Sequence, residues 1–246
     1  MLPQLYKTFQ DWSAKGSVWV YSDPHFGDSD CKFMDPNWIT PEEQVKKIND
    51  KVKKDDTLIL LGDIGDIKYI QQLKVQYKVL ITGNHDKGAS FYKKEIKYLA
   101  YYKEEYKSEV ELYKALKKDF PNFIIKTYEE WSHRAPFKWY SASLDNKLFN
   151  EVYTGPLFIS DKILLSHEPI DIPFGLNIHG HVHDGLGGLS KDNSKYNVCS
   201  NCINYEPQNL SEIIKSGCLK NRDTIHRLTI DKATKKEKQL EESIAL

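Results

Sequence analysis

A chain of 246 residues, 40% of them hydrophobic and 28% charged, carries enough apolar material for one sizeable core, which excludes a disordered tail and a disulfide-stapled miniprotein. Thirty-five basic residues balance thirty-five acidic ones, so net charge does not point to nucleic acid as the partner, although a local basic groove can sit inside a neutral total. The longest apolar run, Leu58 to Leu61, is far short of the roughly 18 residues that would cross a bilayer, so no membrane span is expected.

Met1 to Trp12 mixes polar with apolar residues and lacks the apolar block of a secretory signal. Cys31, Cys199, Cys202 and Cys218 are too few and too unevenly placed for a disulfide framework. Both features read as a cytoplasmic protein with reduced thiols. Val18 to Tyr21 is β-branched and aromatic and ends at Ser22-Asp23-Pro24, which predicts a strand stopped by proline. Thr40, Pro41 and Glu43 supply a helix N-cap, an N1 proline and a capping-box acid, with Val45, Ile48 and Val52 following at helical spacing. Thr57 to Leu61 is a continuous apolar run closed by Gly62, as expected of a strand buried on both faces. Ile67, Ile70 and Leu73 return to helical spacing, and Tyr77 to Thr82 forms a third apolar run closed by Gly83. Such an alternation is a βαβαβ unit with parallel strands, whose ligands bind beyond the carboxyl ends of the strands.

Residues 88–150 differ in character, being dense in aromatics such as Tyr101, Tyr102, Tyr106, Trp131, Trp139 and Tyr140. The stretch from about Ser90 to Lys118 reads as helical and Pro121 ends it, so the segment is expected to be a helical insertion, either packed on the core or capping the site. Beyond it, Leu157–Ser160 and Ile163–Ser166 flank the short polar turn Asp161-Lys162 and predict a hairpin. Leu176–His179 and Lys195–Ile203 predict two further strands, and their succession without helices argues for an antiparallel-rich second half. The charged end, Asp231 to Leu246, reads as a solvated helix or a frayed tail.

Five short clusters hold most of the ligand-type side chains: Asp23-Pro24-His25, Gly62-Asp63-Ile64-Gly65-Asp66, Gly83-Asn84-His85-Asp86, Ser166-His167-Glu168 and Gly180-His181-Val182-His183. Singly, an Asp-x-His pair is weak, but all five in order on strand ends form a strong signal. They offer carboxylate, imidazole and amide donors without thiolate, a mixture suited to Mn, Fe, Zn, Co or Ni and too large for one such ion. Two metals sharing a carboxylate form the clamp used for displacement at phosphorus, where they polarise phosphoryl oxygens and ionise a water held between them. The chemistry expected is therefore metal-assisted phosphoester hydrolysis. His179 lies outside these clusters and is read as structural, His226 has no context that favours function, His133 and Arg134 would reach a phosphate only if the insertion forms a cap, and the Cys199/Cys202 pair lacks the partner pair of a zinc site.

Over residues 18–86 and 157–205 these clusters resemble the five motifs of the calcineurin-like metallophosphoesterase superfamily. The resemblance implies an α/β fold in which two mixed β-sheets pack face to face with helices outside, a four-layer α/β/β/α sandwich, here forming a single domain over 1–246 interrupted by 88–150. It implies that Asp23, His25 and His183 hold one divalent metal, that Asp63 bridges, and that Asn84, His167 and His181 hold the other, with manganese favoured. It also implies that His85 faces the phosphate as acid or charge stabiliser and that Asp66 orients His85.

The protein Ser/Thr phosphatase branch has Asp-Arg-Gly in its second motif and several arginine clamps, whereas this chain continues Asp66-Ile67-Lys68 and contains only Arg134, Arg222 and Arg227. Its Asn-His-Asp form looks more like the phosphodiesterase and nuclease branches, or the small bacterial and phage-type enzymes of unknown substrate. A phosphodiesterase acting on a small phosphoester or nucleotide is therefore expected first. The alternatives are a phosphomonoesterase or nucleotide pyrophosphatase on the same scaffold and, from a different class, a non-catalytic metal-binding scaffold. Neither the oligomeric state nor the physiological substrate is legible in the sequence.

Overall fold

The computed structural model describes residues 5–88, 92, 95–102, 105, 107–119, 124–127, 137–144 and 148–219, with 95–102, 127, 137–144 and 217–218 described by their backbone. Two compact units result, Met1–Asp86 with Phe149–Leu246, and Lys87–Leu148. In the first unit, Gln10–Lys15 (α1) precedes Val18–Tyr21 (β1), then come Cys31–Met34 (α2), Pro41–Lys51 (α3), Thr57–Leu60 (β2), Ile67–Ile70 (α4) and Tyr77–Ile81 (β3). The β1–β2 and β2–β3 pairs are parallel, with Val18 opposite Thr57 and Thr57 opposite Tyr77, which is the expected βαβαβ arrangement.

The second unit holds an antiparallel three-stranded sheet of Glu95–Tyr102 (β4), Ile124–Thr127 (β5) and Phe137–Leu144 (β6), with β6 in the middle, and the helix Glu109–Asp119 (α5). The helix expected over 90–118 is thus a strand followed by a helix. Ile96, Tyr98, Tyr101 and Tyr102 are β-formers, and their spacing served a period of two as well as a helical one. In α5, Leu112 and Leu116, four residues apart, are the buried pair.

Back in the first unit, Glu151–Tyr153 (β7) pairs in parallel with β3. Leu157–Ser160 (β8), Ile163–Leu165 (β9), Leu176–His179 (β10), Gly188–Leu189 (β11) and Lys195–Asn197 (β12) build a second five-stranded sheet in the order β11-β12-β10-β9-β8. Gln208–Asn209 (β13) returns to β1, so the first sheet runs β13-β1-β2-β3-β7, and Leu210–Ile213 (α6) follows it. The β8–β9 hairpin is antiparallel as expected. An antiparallel-rich second half is not what forms, because β9, β10 and β12 run parallel. The connections over 166–175 and 180–194 are long enough to cross back over the sheet, and they carry the motifs. The strand expected over Lys195–Ile203 stops at Asn197, whose side chain accepts the Cys199 N–H at 3.0 Å, and a 3-10 turn over Ser200–Ile203 follows.

Alternation along the strands sends Val18, Val20, Ile59, Val79 and Ile81 from the first sheet and Ile163, Leu165, Leu176 and Ile178 from the second into one apolar cluster, so the two mixed sheets pack face to face. Each such side chain contributes about 1.5–3 kcal/mol by leaving water. Tyr21 points to the opposite face, where its hydroxyl donates to Gln44 of α3 at 2.9 Å. Gln44 in turn donates to the Pro24 carbonyl at 3.0 Å, which ties α3 to the end of β1. That helix begins with the capping box expected of Thr40 and Glu43 and buries Val45 and Ile48. No helix among the described residues is long and apolar enough to cross a membrane. The tail Asp231–Leu246 lies outside the described residues.

Candidate metal centre

All five motifs occupy loops at strand ends: Asp23 and His25 after β1, Asp63 and Asp66 after β2, Asn84 and His85 after β3, His167 after β9, and His181 and His183 after β10. The first two loops continue the parallel pairing of their strands, with His25 N–H donating to Asp63 O and Phe26 N–H to Ile64 O, each at 3.0 Å. Four of these residues hold left-handed backbone: Asp23 (φ 53°), His25 (φ 42°), Asp63 (φ 50°) and His181 (φ 66°). Non-glycine residues there cost about 1–3 kcal/mol each and persist only where their surroundings over-determine them. Gly180 is needed for close approach, since a Cβ on it would fall on the Ser22 hydroxyl and the Asp23 carboxylate.

The side chains converge. Asp23, His25 and His183 form one set of donor atoms lying within 4.8 Å of one another, and Asp63, His167 and His181 form a second. Asp63 Oδ2 stands between the sets, 3.8 Å from His25 Nε2 and 3.4 Å from His167 Nε2. Asn84 Oδ1 joins the second at 2.8 Å from His167 Nε2. Asp23 Oδ1 and His25 Nε2 are buried without a hydrogen-bond partner among the described residues, an arrangement costly unless a cation satisfies them.

The protonation of His167 makes the same point. Its Nδ1 lies 2.7 Å from the Leu61 carbonyl, which only accepts, so Nδ1 carries a proton. Its Nε2 then faces Asn84 Oδ1, Asp63 Oδ2 and, at 3.1 Å, His181 Nδ1. Burial works against charge on this ring, but the hydrogen bond to Asp63 and the charges of Asp23 and Asp63 outweigh it and raise its pKa to about 9. Asp63 is pushed up by burial, yet hydrogen bonds from His167 and the His85 N–H, with the charges of His167 and His25, leave it lowered overall. A divalent cation among these donors would take the place of that proton, and carboxylate, imidazole and amide groups suit the borderline metals. The residues present therefore fit two divalent ions.

Around the donors lie side chains that short motifs could not reveal. His183 Nδ1 faces Asn201 Oδ1 at 3.1 Å and the Cys199 thiol at 3.2 Å, which leaves Nε2 directed at Asp23. His25 Nδ1 lies 3.5 Å from Asp28 Oδ2. Trp38 packs its ring against both His25 and His183, at centroid distances of 6.0 and 5.7 Å. His25, Asp28 and Cys31 form a third grouping, but burial and the charges of Asp28 and Asp30 push the Cys31 thiol up to about 12, which disfavours the thiolate a metal needs.

His85 is exposed beside the donors, its ring 5.9 Å from that of His25. Asp66 caps α4 through the Lys68 N–H and meets Lys68 Nζ, both at 3.0 Å, and no bond to His85 is seen among the described residues. His179 is buried, with Nδ1 on the Gly180 carbonyl, and burial lowers its pKa. Cys199 touches His183 instead of forming a separate metal site. His133, Arg134 and His226 lie outside the described residues.

The chain belongs to the calcineurin-like phosphoesterase family, whose model matches residues 16–186. It is accordingly a metal-binding hydrolase whose chemistry is metal-dependent phosphoester hydrolysis. A solved structure of a protein of unknown function from Aquifex aeolicus shares the fold, with a TM-score of 0.50 at 20% identity, covering 81% of this chain and 98% of that one. No curated protein matches the chain.

Proposed function

We propose that the protein is a two-metal phosphodiesterase acting in the cytoplasm on a small phosphoester or nucleotide. The observation that carries the two-metal reading is the position of Asp63 Oδ2 between two donor sets that together lack no member. Asp23, His25 and His183 would hold one ion, Asn84, His167 and His181 the other, and Asp63 both; manganese is the favoured metal. When bound, such a pair polarises phosphoryl oxygens and makes water nucleophilic near neutral pH. The free thiols Cys31, Cys199 and Cys202 suit a reducing compartment. We treat 1–246 as one metallophosphoesterase domain with 88–150 inserted in it.

His85, exposed and free of the donor sets, would meet the phosphate from the open side and give a proton to the leaving oxygen. Its backbone N–H donates to Asp63 Oδ1 at 2.9 Å, which fixes its place relative to the metal donors. Asp66 would orient His85 by exchanging Lys68 for it. Asp66→Asn should then lower kcat with little change in KM, and an unchanged kcat removes Asp66 from the reaction. Diesters are placed first because the Asn84-His85-Asp86 form resembles that of the phosphodiesterase and nuclease branches.

The deciding assay compares bis(p-nitrophenyl) phosphate with p-nitrophenyl phosphate, using chelator-treated protein with Mn, Ni, Zn or Mg added back. The expected result is metal-dependent diester turnover, lost in Asp63→Ala and lowered about 10²–10⁴-fold in His85→Ala. Monoester preference would bring forward the phosphomonoesterase reading. Silence on both substrates with two metals bound would favour a scaffold protein.

A further inference from the structure

A cavity of about 240 Å³ opens beyond the ends of β3 and β9, against the β7–β8 turn, and Asn84 and His167 form one of its walls. Those two residues are also candidate donors of the second metal set, so a phosphoryl group held there would lie beside the cavity. Resting on the phosphoesterase reading, we propose that this cavity is the subsite for the organic group of the substrate, that it takes a neutral, ring-sized group, and that it rejects a second phosphate.

Size supports the first half of this assignment. Pockets for drug-sized ligands run from about 300 to 1,000 Å³, so this one holds a single ring or short polyol and not a whole dinucleotide. Its lining sets the chemistry. Pro156 and Ile170 supply apolar wall, and Ile81, 1% exposed, borders it from the core. Thr82 and Thr154 supply hydroxyls that make no hydrogen bond among the described residues, so a ligand's polar edge can take them. Ser166, by contrast, is already engaged: its Oγ donates to the Glu168 carbonyl at 2.6 Å and accepts from Asn177 at 2.8 Å, which fixes the backbone at Glu168.

Charge supports the second half. Among the described lining residues there is no lysine or arginine, and the one charged acid is the exposed Glu168. With the metals taken up by the reacting phosphoryl group, a second phosphate entering would leave water with no lysine or arginine to receive it and would face a like charge. A neutral ring loses little on entering and gains apolar contact. Of the activities open to this scaffold, the cavity thus favours esters with an organic alcohol and opposes pyrophosphate bonds.

The test uses the full-length protein loaded with zinc, carrying ¹³C-labelled isoleucine δ1 methyls, and three non-hydrolysable probes: phenylphosphonate, methylenediphosphonate and inorganic phosphate. Phenylphosphonate should shift the Ile81 and Ile170 methyls, and the two ringless probes should leave them in place. Failure of phenylphosphonate to shift them, or equal shifts with methylenediphosphonate, overturns the proposal. In the activity arm, Ile170→Trp fills the cavity and should raise KM for bis(p-nitrophenyl) phosphate about tenfold or more. Thr154→Trp, at an exposed position, should do the same if Ile170→Trp fails to fold. Glu168→Lys should tighten methylenediphosphonate binding about tenfold. Unchanged KM in both tryptophan variants overturns the subsite while leaving phosphoester hydrolysis standing. Absence of all hydrolysis alongside selective methyl shifts overturns the catalytic reading and leaves the subsite standing.

Discussion

Asp86 holds the backbone of Asp63: its Oδ2 accepts the Asp63 N–H at 2.8 Å. The same carboxylate accepts from Ile64 at 3.1 Å and from Gly83 at 2.8 Å, so one side chain at the end of β3 clamps the loop at the end of β2. Asp63 is 2% exposed and has φ of 50°, which makes this anchorage the local reason that its carboxylate stays between the two donor sets. Asp86→Ala would strand buried N–H groups at about 1–3 kcal/mol and loosen Asp63. The expected outcome is a fall of about 10–100-fold in metal affinity, measured by calorimetric titration of zinc into chelator-treated protein. Unchanged affinity would show that Asp63 needs no clamp.

The clamp illustrates what could be read from the chain and what could not. Gly83-Asn84-His85-Asp86 is visible as a motif because its residues are adjacent, and β1 to β3 are visible because each apolar run stops at a polar residue or glycine. The Thr40–Glu43 box is local in the same way. Asn201, Asp28 and Trp38 escape such reading because they reach His183 and His25 only through folding, with no short spacing to mark them. Strand direction escapes too: alternation places Ile163, Leu165, Leu176 and Ile178 in the core but is the same for either direction. In 95–102, β-forming aromatics at ambiguous spacing hid a strand inside an expected helix.

Gly180 gives a second outcome that tests close packing. It has no left-handed φ to protect, so only contact opposes alanine there. The new methyl would displace Ser22 or Asp23, and Asp23 Oδ2 also accepts the His181 N–H at 2.8 Å, so one added carbon disturbs a donor from each set. Gly180→Ala should cost about 1–3 kcal/mol and weaken binding of both metals. Metal analysis after dialysis against limiting chelator, set beside a urea melt, would separate the two effects. Full retention of both ions would contradict the packing argument.

A change away from the donors should act on stability alone. Thr40 Oγ1 accepts the Glu43 N–H at 3.3 Å while Glu43 accepts the Thr40 N–H at 2.9 Å, closing the start of α3. Thr40→Ala should lower the unfolding free energy by about 1 kcal/mol with kcat and KM unchanged. A drop in kcat at unchanged metal content would mean that α3 transmits more to Pro24 through Gln44 than a static tie.

Metal removal should reveal the proton on His167. In its folded setting the acceptors around Nε2, chiefly Asp63, raise the ring to about 9 from an ordinary 6.5, against the opposing effect of burial. A raised folded pKa means that the folded state binds the proton more tightly than the unfolded chain does. The resulting stability is therefore fully present below about 6.5 and is lost as pH rises through about 9. Chelator-treated protein should show a urea midpoint that falls from about pH 6 to about pH 10. With zinc bound, a cation satisfies the same acceptors, His167 is neutral throughout, and this part of the slope should disappear, with release of a proton on binding near neutral pH. His167→Gln in the chelator-treated protein should flatten the slope in the same way. An equally steep slope in that variant would assign the pH dependence to other groups and leave the second donor set without its predicted proton.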